Sequence, residues 1–204
     1  MRALVILAIL AAGEAIWLIA AGPQTPPSPA TQPTTREKPV QTETATFAAG
    51  CFWGVQSTFE KVPGVISTRV GYSGGTMPDP TYEDVCTDRT GHAESIEIVF
   101  DPSKVSYSTL LNVFFENHDP TTMNRQGPDF GTQYRSVIFY HSPEQQSLAE
   151  LEKNRRNDSG DYVGPIVTQI VPAATFYPAE TYHQFYYDKH GITWTCHTGN
   201  GKRK

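Results

Sequence analysis

The stretch TATFAAGCFWGVQSTFEKVPG, residues 44–64, decides the fold. Residues 44–49 are a short, mostly apolar run that stops at Gly50, and they read as a buried strand. The period then changes. Phe52, Val55, Phe59 and Val62 recur at spacings of 3, 4 and 3, which puts them on one face of a helix over residues 52–62. Pro63-Gly64 stops that helix. A strand that turns straight into an amphipathic helix is the opening of a layered sheet-and-helix domain. Cys51 sits at the corner, between Gly50 and the pair Phe52-Trp53.

The rest of the chain continues the alternation. GVISTRVGYSGG, from Gly64, reads as a second strand with a glycine loop. TYEDVC, from Thr81, is a short helical turn capped by Thr81, with Asp84 three positions on. GHAESIEIVF is a strand stopped by Asp101-Pro102, and VSYSTLLNVFFENHD a helix with Tyr107, Leu110, Leu111 and Phe114 as its apolar face. A long polar loop runs over residues 118–134, followed by the strand RSVIFYH. SPEQQSLAELEKNRRN is a helix with Ser142 as cap and Pro143 in its first position. GPIVTQIVP reads as a strand and YPAETYHQFYYDKHG as a last helix ended by Gly191. The tail from about residue 191, including ITWTCHTGNGKRK, lacks periodicity and is expected to be a mobile coil. The fold class is α/β (α+β), a two-layer sandwich.

The first 44 residues differ from the remaining 160 or so, which suit one domain with its own core. MRALVILAILAAGEAIWLIAAG has one Arg and then an apolar run to Ala21, broken only at Gly13 and Glu14. Residues 1–21 read as an export signal cut after Ala21, with an uncleaved membrane anchor over residues 3–21 as the alternative. Glu14 near mid-span is costly for an anchor. Residues 22–44 are Pro/Thr-rich and too poor in apolar groups to fold, so they form a linker. The folded unit is then 45–204, expected to work outside the cytoplasm as a periplasmic or secreted protein and to touch a membrane only through its N-terminus. The net charge of −5 comes with no basic stripe, which argues against a nucleic-acid partner. A monomer is expected.

Three cysteines are present, Cys51, Cys86 and Cys196, and none forms a close pair. Zinc sites bring ligands in close pairs, so no metal is expected; the nearest set is Cys196-His197 with His190 and His183. Cys51 follows a strand and opens a helix, where backbone N–H groups favour a thiolate. Gly54, one turn on, leaves space over the sulfur. These features favour a nucleophile over a buried structural cysteine. Phe52 belongs to the apolar stripe. Trp53 does not, and its i+3 and i+4 neighbours are Gln56 and Ser57, so it is a candidate apolar wall for a substrate group.

Glu94 shares strand parity with Ile96, Ile98 and Phe100. On the apolar side, burial would raise its pKa and let it donate a proton near neutrality; at the strand mouth it would simply be wet. Long ordered polar loops are usually functional, and the one over 118–134 carries Asp129 and Tyr134. Tyr82 and Tyr134 can donate to a substrate oxygen or serve as loop packing. Cys196 lies on the tail, where a thiol can reach an oxidised partner, and it is preferred over Cys86 for that role.

Together GCFWG, GYSGG, TYEDVCTDRTGHAE, HDPTTMNRQGPDFGTQYRS and AETYHQFYY resemble the A family of peptide-methionine sulfoxide reductases over nearly all of residues 45–190. The resemblance implies a ferredoxin-like sandwich with a coil-rich C-terminal tail. It implies that Cys51 is the nucleophile, that Glu94 protonates the sulfoxide oxygen, and that Tyr82 and Tyr134 bond that oxygen. Phe52 and Trp53 would hold the substrate methyl group, Asp129 would order the pocket, and His183 would stand behind it. Cys196 would resolve a sulfenic acid on Cys51, and a thioredoxin-like dithiol would reduce the disulfide, with no resident cofactor. The substrate would be the S-sulfoxide of methionine, free or in oxidised proteins. Two other classes stand beside this one: acyl transfer by Cys51 with His183, and a non-enzymatic binding module for oxidised proteins.

Overall fold

The computed structural model describes Gly22, residues 41–193 and residues 199–203. Met1–Lys38 and Pro39–Lys204 form separate units, and the second is the one described below. The signal or anchor, most of the linker, and Cys196 lie outside the described residues.

β1, Glu43–Ala49, leads through Cys51 into α1, Phe52–Phe59. β2, Val65–Ser73, follows, then the short α2, Tyr82–Cys86, and β3, Ala93–Phe100. α3, Tyr107–Glu116, precedes a hairpin of β4, Arg125–Gln126, and β5, Asp129–Phe130. A single 3-10 turn, Thr132–Tyr134, leads to β6, Ser136–Tyr140, and α4, Pro143–Asp158. β7, Gln169–Pro172, β8, Tyr177–Pro178, and α5, Tyr186–His190, complete the unit. The main sheet runs β7-β6-β1-β3-β2-β8. Each of its four central strands is antiparallel to its neighbours among them, and each of α1 and α3 carries the chain over one intervening strand. That is the ferredoxin-like arrangement, extended by β7, parallel to β6, and by β8, antiparallel to β2.

The core lies between the helices and one sheet face. Phe47 of β1 is fully buried and meets Phe59, Tyr107 and Phe114 at ring-centroid distances of 5.5, 6.0 and 5.1 Å. Ile96, Ile98, Phe100, Leu110, Leu111 and Ile138 belong to the same cluster, each such side chain contributing about 1.5–3 kcal/mol by burial. α4 starts as its sequence predicts, with Ser142 accepting from the Gln145 N–H at 3.2 Å and Pro143 in the first turn. It offers the core little apolar surface beyond Ala149. Buried Arg156 fastens it instead, donating to Glu152, to Glu116 and Asn112 of α3, and to the Tyr162 hydroxyl.

Several expectations change. α1 ends at Phe59 rather than Val62, because its last turn tightens and Pro63 disfavours helical geometry at Val62; Val62 still packs on the core. The helix expected over 177–190 is broken into β8, an irregular turn and α5. Phe185 adopts a left-handed φ of 53°, and the Gln184 amide bonds both the N–H and C=O of Val70, standing in for a neighbouring strand. Gly71 lets β8 approach, since a Cβ there would strike the Tyr177 carbonyl and the Phe176 ring. The strand expected over 164–172 starts only at Gln169, because the Ile166 and Val167 N–H groups bond Asn157 and Pro120 instead. The end of the tail is held, not loose. Lys202 bridges Tyr162 and reaches Glu116 at 2.6 Å, while the Arg203 N–H bonds the Asp161 carbonyl at 2.6 Å.

Candidate active site

Cys51 occupies the cap position of α1, with non-helical φ −55° and ψ 118°, and its thiol is half-buried. Its carbonyl accepts from the Val55 N–H at 3.4 Å, the first bond of the helix, and its side chain makes no capping hydrogen bond. The first amides of a helix lack partners within it and point at the cap. One of these, the Phe52 N–H, donates to Glu94 Oε2 at 3.0 Å. This bond carries the β3 carboxyl to the residue beside the cysteine. Glu94 is 2% exposed and aligned with the buried Ile96 and Ile98, so the apolar-side reading holds and the wet one falls.

Tyr82 opens α2, whose capping box forms as its sequence predicts: Thr81 accepts from the Asp84 N–H and Asp84 accepts from the Thr81 N–H. Burial, a hydrogen bond with the Cys86 thiol and the nearby Glu94 charge all push the Tyr82 phenol pKa up. Tyr134 comes from the 3-10 turn. Burial raises its pKa too, followed by the charges of Glu94, Cys51 and Asp129. The Glu94 carboxyl thus acts electrostatically on both phenols. Both therefore remain hydrogen-bond donors at physiological pH. Asp129, opposite Gln126 in the hairpin, is half-buried, and burial pushes its pKa up.

Phe52 leaves the stripe assigned to it. It joins Val70, Tyr72, Val85 and Ala179 in a second cluster, separate from the one containing Val55 and Phe59. Trp53 lacks an apolar mate on its own helix but finds one on α5, where it stacks on Tyr186 at 3.7 Å and 8°. Its indole N–H donates to His183 Nδ1 at 3.0 Å. An indole can only donate, so Nδ1 accepts and the neutral imidazole carries its proton on Nε2. That Nε2 is buried, lacks a hydrogen-bond partner, and lies 3.9 Å from Glu180 Oε2. Burial lowers the His183 pKa, against the raising effect of Glu180 and Glu83.

Glu180 is a residue that sequence reasoning missed. It accepts from the Tyr82 N–H at 2.9 Å and from the Tyr72 hydroxyl at 2.9 Å, tying the turn before α5 to the tyrosine end of the site. Its place inside a segment read as one long helix hid it, although its i,i+3 spacing to His183 was a usable signal. Gln56 was also missed: it bonds Thr68 and the Phe185 N–H from a fully buried position on α1. Cys86, the last residue of α2, is exposed. Among the described residues, no three His, Cys, Asp or Glu side chains gather as a metal-ligand set.

A thiol at a helix start, a buried carboxyl bonded to the next amide and two phenols within electrostatic reach of that carboxyl make up the parts of a thiol-chemistry site. A family model described as peptide methionine sulfoxide reductase matches residues 43–204. A protein of Methanothermobacter thermautotrophicus named peptide methionine sulfoxide reductase MsrA is 63% identical over 147 residues, 72% of this chain and 87% of its own. One of the same name from Methanoculleus marisnigri is 58% identical over 149 residues, 73% and 91% of the two chains. Among solved structures, Mxr1 of Saccharomyces cerevisiae in reduced form superposes with TM-score 0.70 at 36% identity, covering 78% of this chain and 91% of its own. Methionine sulfoxide reductase A of Corynebacterium diphtheriae gives TM-score 0.69 at 37% identity, with 83% and 86% covered. The chain belongs to the MsrA family of peptide methionine sulfoxide reductases. Its reaction class is that of a peptide-methionine (S)-S-oxide reductase.

Proposed function

We propose that Cys51 reduces the S-sulfoxide of methionine through a sulfenic acid, with Glu94 as proton donor. The observation that carries this reading is the hydrogen bond from the Phe52 N–H to Glu94 Oε2, one residue from the nucleophile. In a protonated Glu94 the accepting oxygen is the carbonyl one, and Oε1 carries the proton. Tyr82 and Tyr134 donate to the sulfoxide oxygen, and Phe52 and Trp53 face the methyl group. Asp129 orders the polar side of the pocket.

The Cys51 thiolate attacks the sulfoxide sulfur while the oxygen takes the Glu94 proton. A transient S–S bond forms; the hydroxyl oxygen then moves to the Cys51 sulfur as the S–S bond and the methionine S–O bond break, so methionine leaves and Cys51 is left as the sulfenic acid. The Cys196 thiol then condenses with it, releasing water and leaving a disulfide. An external dithiol of the thioredoxin kind reduces that disulfide by exchange. The apolar run over 3–21 and the Pro/Thr-rich linker support work outside the cytoplasm on oxidised exported proteins, with a reductant located there.

Acyl transfer needs an imidazole bonded to the sulfur. His183 instead receives Trp53 on Nδ1 and turns Nε2 toward Glu180, which disfavours that role. In the test, reduced protein is mixed with one equivalent of an S-sulfoxide peptide. Wild type converts it to up to one equivalent of methionine peptide, and Cys51→Ser yields none; product from the variant removes Cys51 as nucleophile. Cys196→Ser keeps the first turnover and loses thioredoxin-linked cycling. Normal cycling there assigns resolution to Cys86 or to direct reduction.

A further inference from the structure

Asp88 occupies the position just past the C-terminal cap of α2, with a left-handed φ of 63°. Glycine is the residue this position favours, because an L side chain there is strained. A strained conformation that persists is grounds for asking what the side chain does. The Asp88 carboxylate crosses to the far loop, where a single oxygen, Oδ1, accepts from the Thr132 N–H at 2.6 Å and also from the Thr132 hydroxyl. Thr132 is the first residue of the 3-10 turn that ends in Tyr134. Asp88 lies two residues beyond α2, whose first residue is Tyr82. A second tie runs back the other way. Arg135 donates to the Thr132 carbonyl and to the Gly91 carbonyl, both at 2.9 Å.

We propose that Asp88 is a positioning residue that sets the spacing of Tyr82 and Tyr134 by clamping their two backbone segments together at Thr132. The inference rests on the proposed joint action of the two phenols on one substrate oxygen. Donors aimed at a single developing charge lose their effect when one is displaced by about 1 Å, and such a shift can cost on the order of a hundredfold. Neither carboxylate oxygen of Asp88 touches the reacting atoms; the residue acts through Thr132.

The test compares wild type, Asp88→Gly, Asp88→Asn and Thr132→Val in single-turnover reduction of a methionine S-sulfoxide peptide, which is independent of Cys196 and of any reductant. Asp88→Gly relieves the backbone strain, so its melting temperature stays at or above that of wild type. Its rate of the chemical step falls on the order of tenfold or more, with a smaller change in substrate affinity. Asp88→Asn retains the accepting oxygen and returns the rate to within about threefold of wild type. Thr132→Val removes the hydroxyl donor and slows the step. The double variant Asp88→Gly/Thr132→Val is no slower than Asp88→Gly, because both break one clamp. A wild-type rate in Asp88→Gly, or a loss in Asp88→Asn as large as in Asp88→Gly, overturns the clamp. Should wild type itself reduce no sulfoxide, it is the proposed function that fails.

Discussion

Glu94 shows what a single residue owes to its surroundings. Strand parity placed it on the apolar side, and the structure adds the partner parity could not supply, the Phe52 N–H across 42 residues. Glu94→Gln keeps an oxygen to accept that N–H but cannot transfer a carboxyl proton. Single-turnover rates are expected to fall by 10²–10⁴-fold, roughly the span of general acid catalysis; an unchanged rate removes the acid role. His183 gives a pH signature. Burial lowers its pKa in the folded protein, while in the unfolded chain it titrates at about 6.5. Below that pH the unfolded state holds the proton the folded state lacks. Stability is therefore fully present above about 6.5 and declines as pH falls toward the folded value. His141, whose pKa burial also lowers, acts with the same sign. Denaturant titrations between pH 5 and 7.5 should show this slope, and His183→Gln should reduce it. An undiminished slope would assign the effect to His141 and the carboxylates. Protonation also turns Nδ1 into a donor facing the Trp53 donor, so the indole loses its anchor over the same range.

At the scale of elements, the caps were the most legible features. Thr81 with Asp84, Ser142 with Pro143, and Gly191 all act as their sequence predicts, because capping is local and needs only a few neighbouring residues. Thr81→Ala is expected to cost about 1 kcal/mol of stability, and to slow catalysis further because α2 carries Tyr82. A melting curve beside a single-turnover rate separates the two; a stability loss with no loss of rate would detach the cap from the site. The segment 177–190 was misread for the opposite reason. Its apolar spacing fits a helix, yet Gln184 finds the open edge of β2 and Phe185 turns left-handed to let it. Trp53 belongs to the same lesson. Nothing on α1 explains it, and Tyr186, 133 positions along the chain, does.

On the scale of the whole molecule, one buried cation joins distant parts. Arg156 links α4 to α3 and to Tyr162, and Glu116 in turn holds Lys202 near the C-terminus. Replacing Arg156 by Met removes the donor that joins Glu152, Glu116, Asn112 and Tyr162, leaving Glu116 to Lys202 and Glu152 to Arg155, and should cost about 3 kcal/mol, a fall in Tm of roughly 6–12 °C for a unit of this size. Lys202→Ala removes only an exposed pair and should cost less than about 1 kcal/mol; equal losses in unfolding experiments would show that the C-terminal contact, not the helix junction, is what Arg156 secures. By itself the sequence determined the alternation of strands and helices, the caps, the cysteine at a helix start and the motifs that mark the family. Periodicity, capping and motif spacing are written in neighbouring residues, so they can be read in order. The tertiary structure decided that Glu94 meets the Phe52 amide, that His183 serves Trp53 rather than Cys51, that Glu180 joins two tyrosines, and that Asp88 reaches Thr132. Each of these is a hydrogen bond between segments far apart in the chain. Its geometry exists only after the sheet order has brought those segments within about 3 Å of one another.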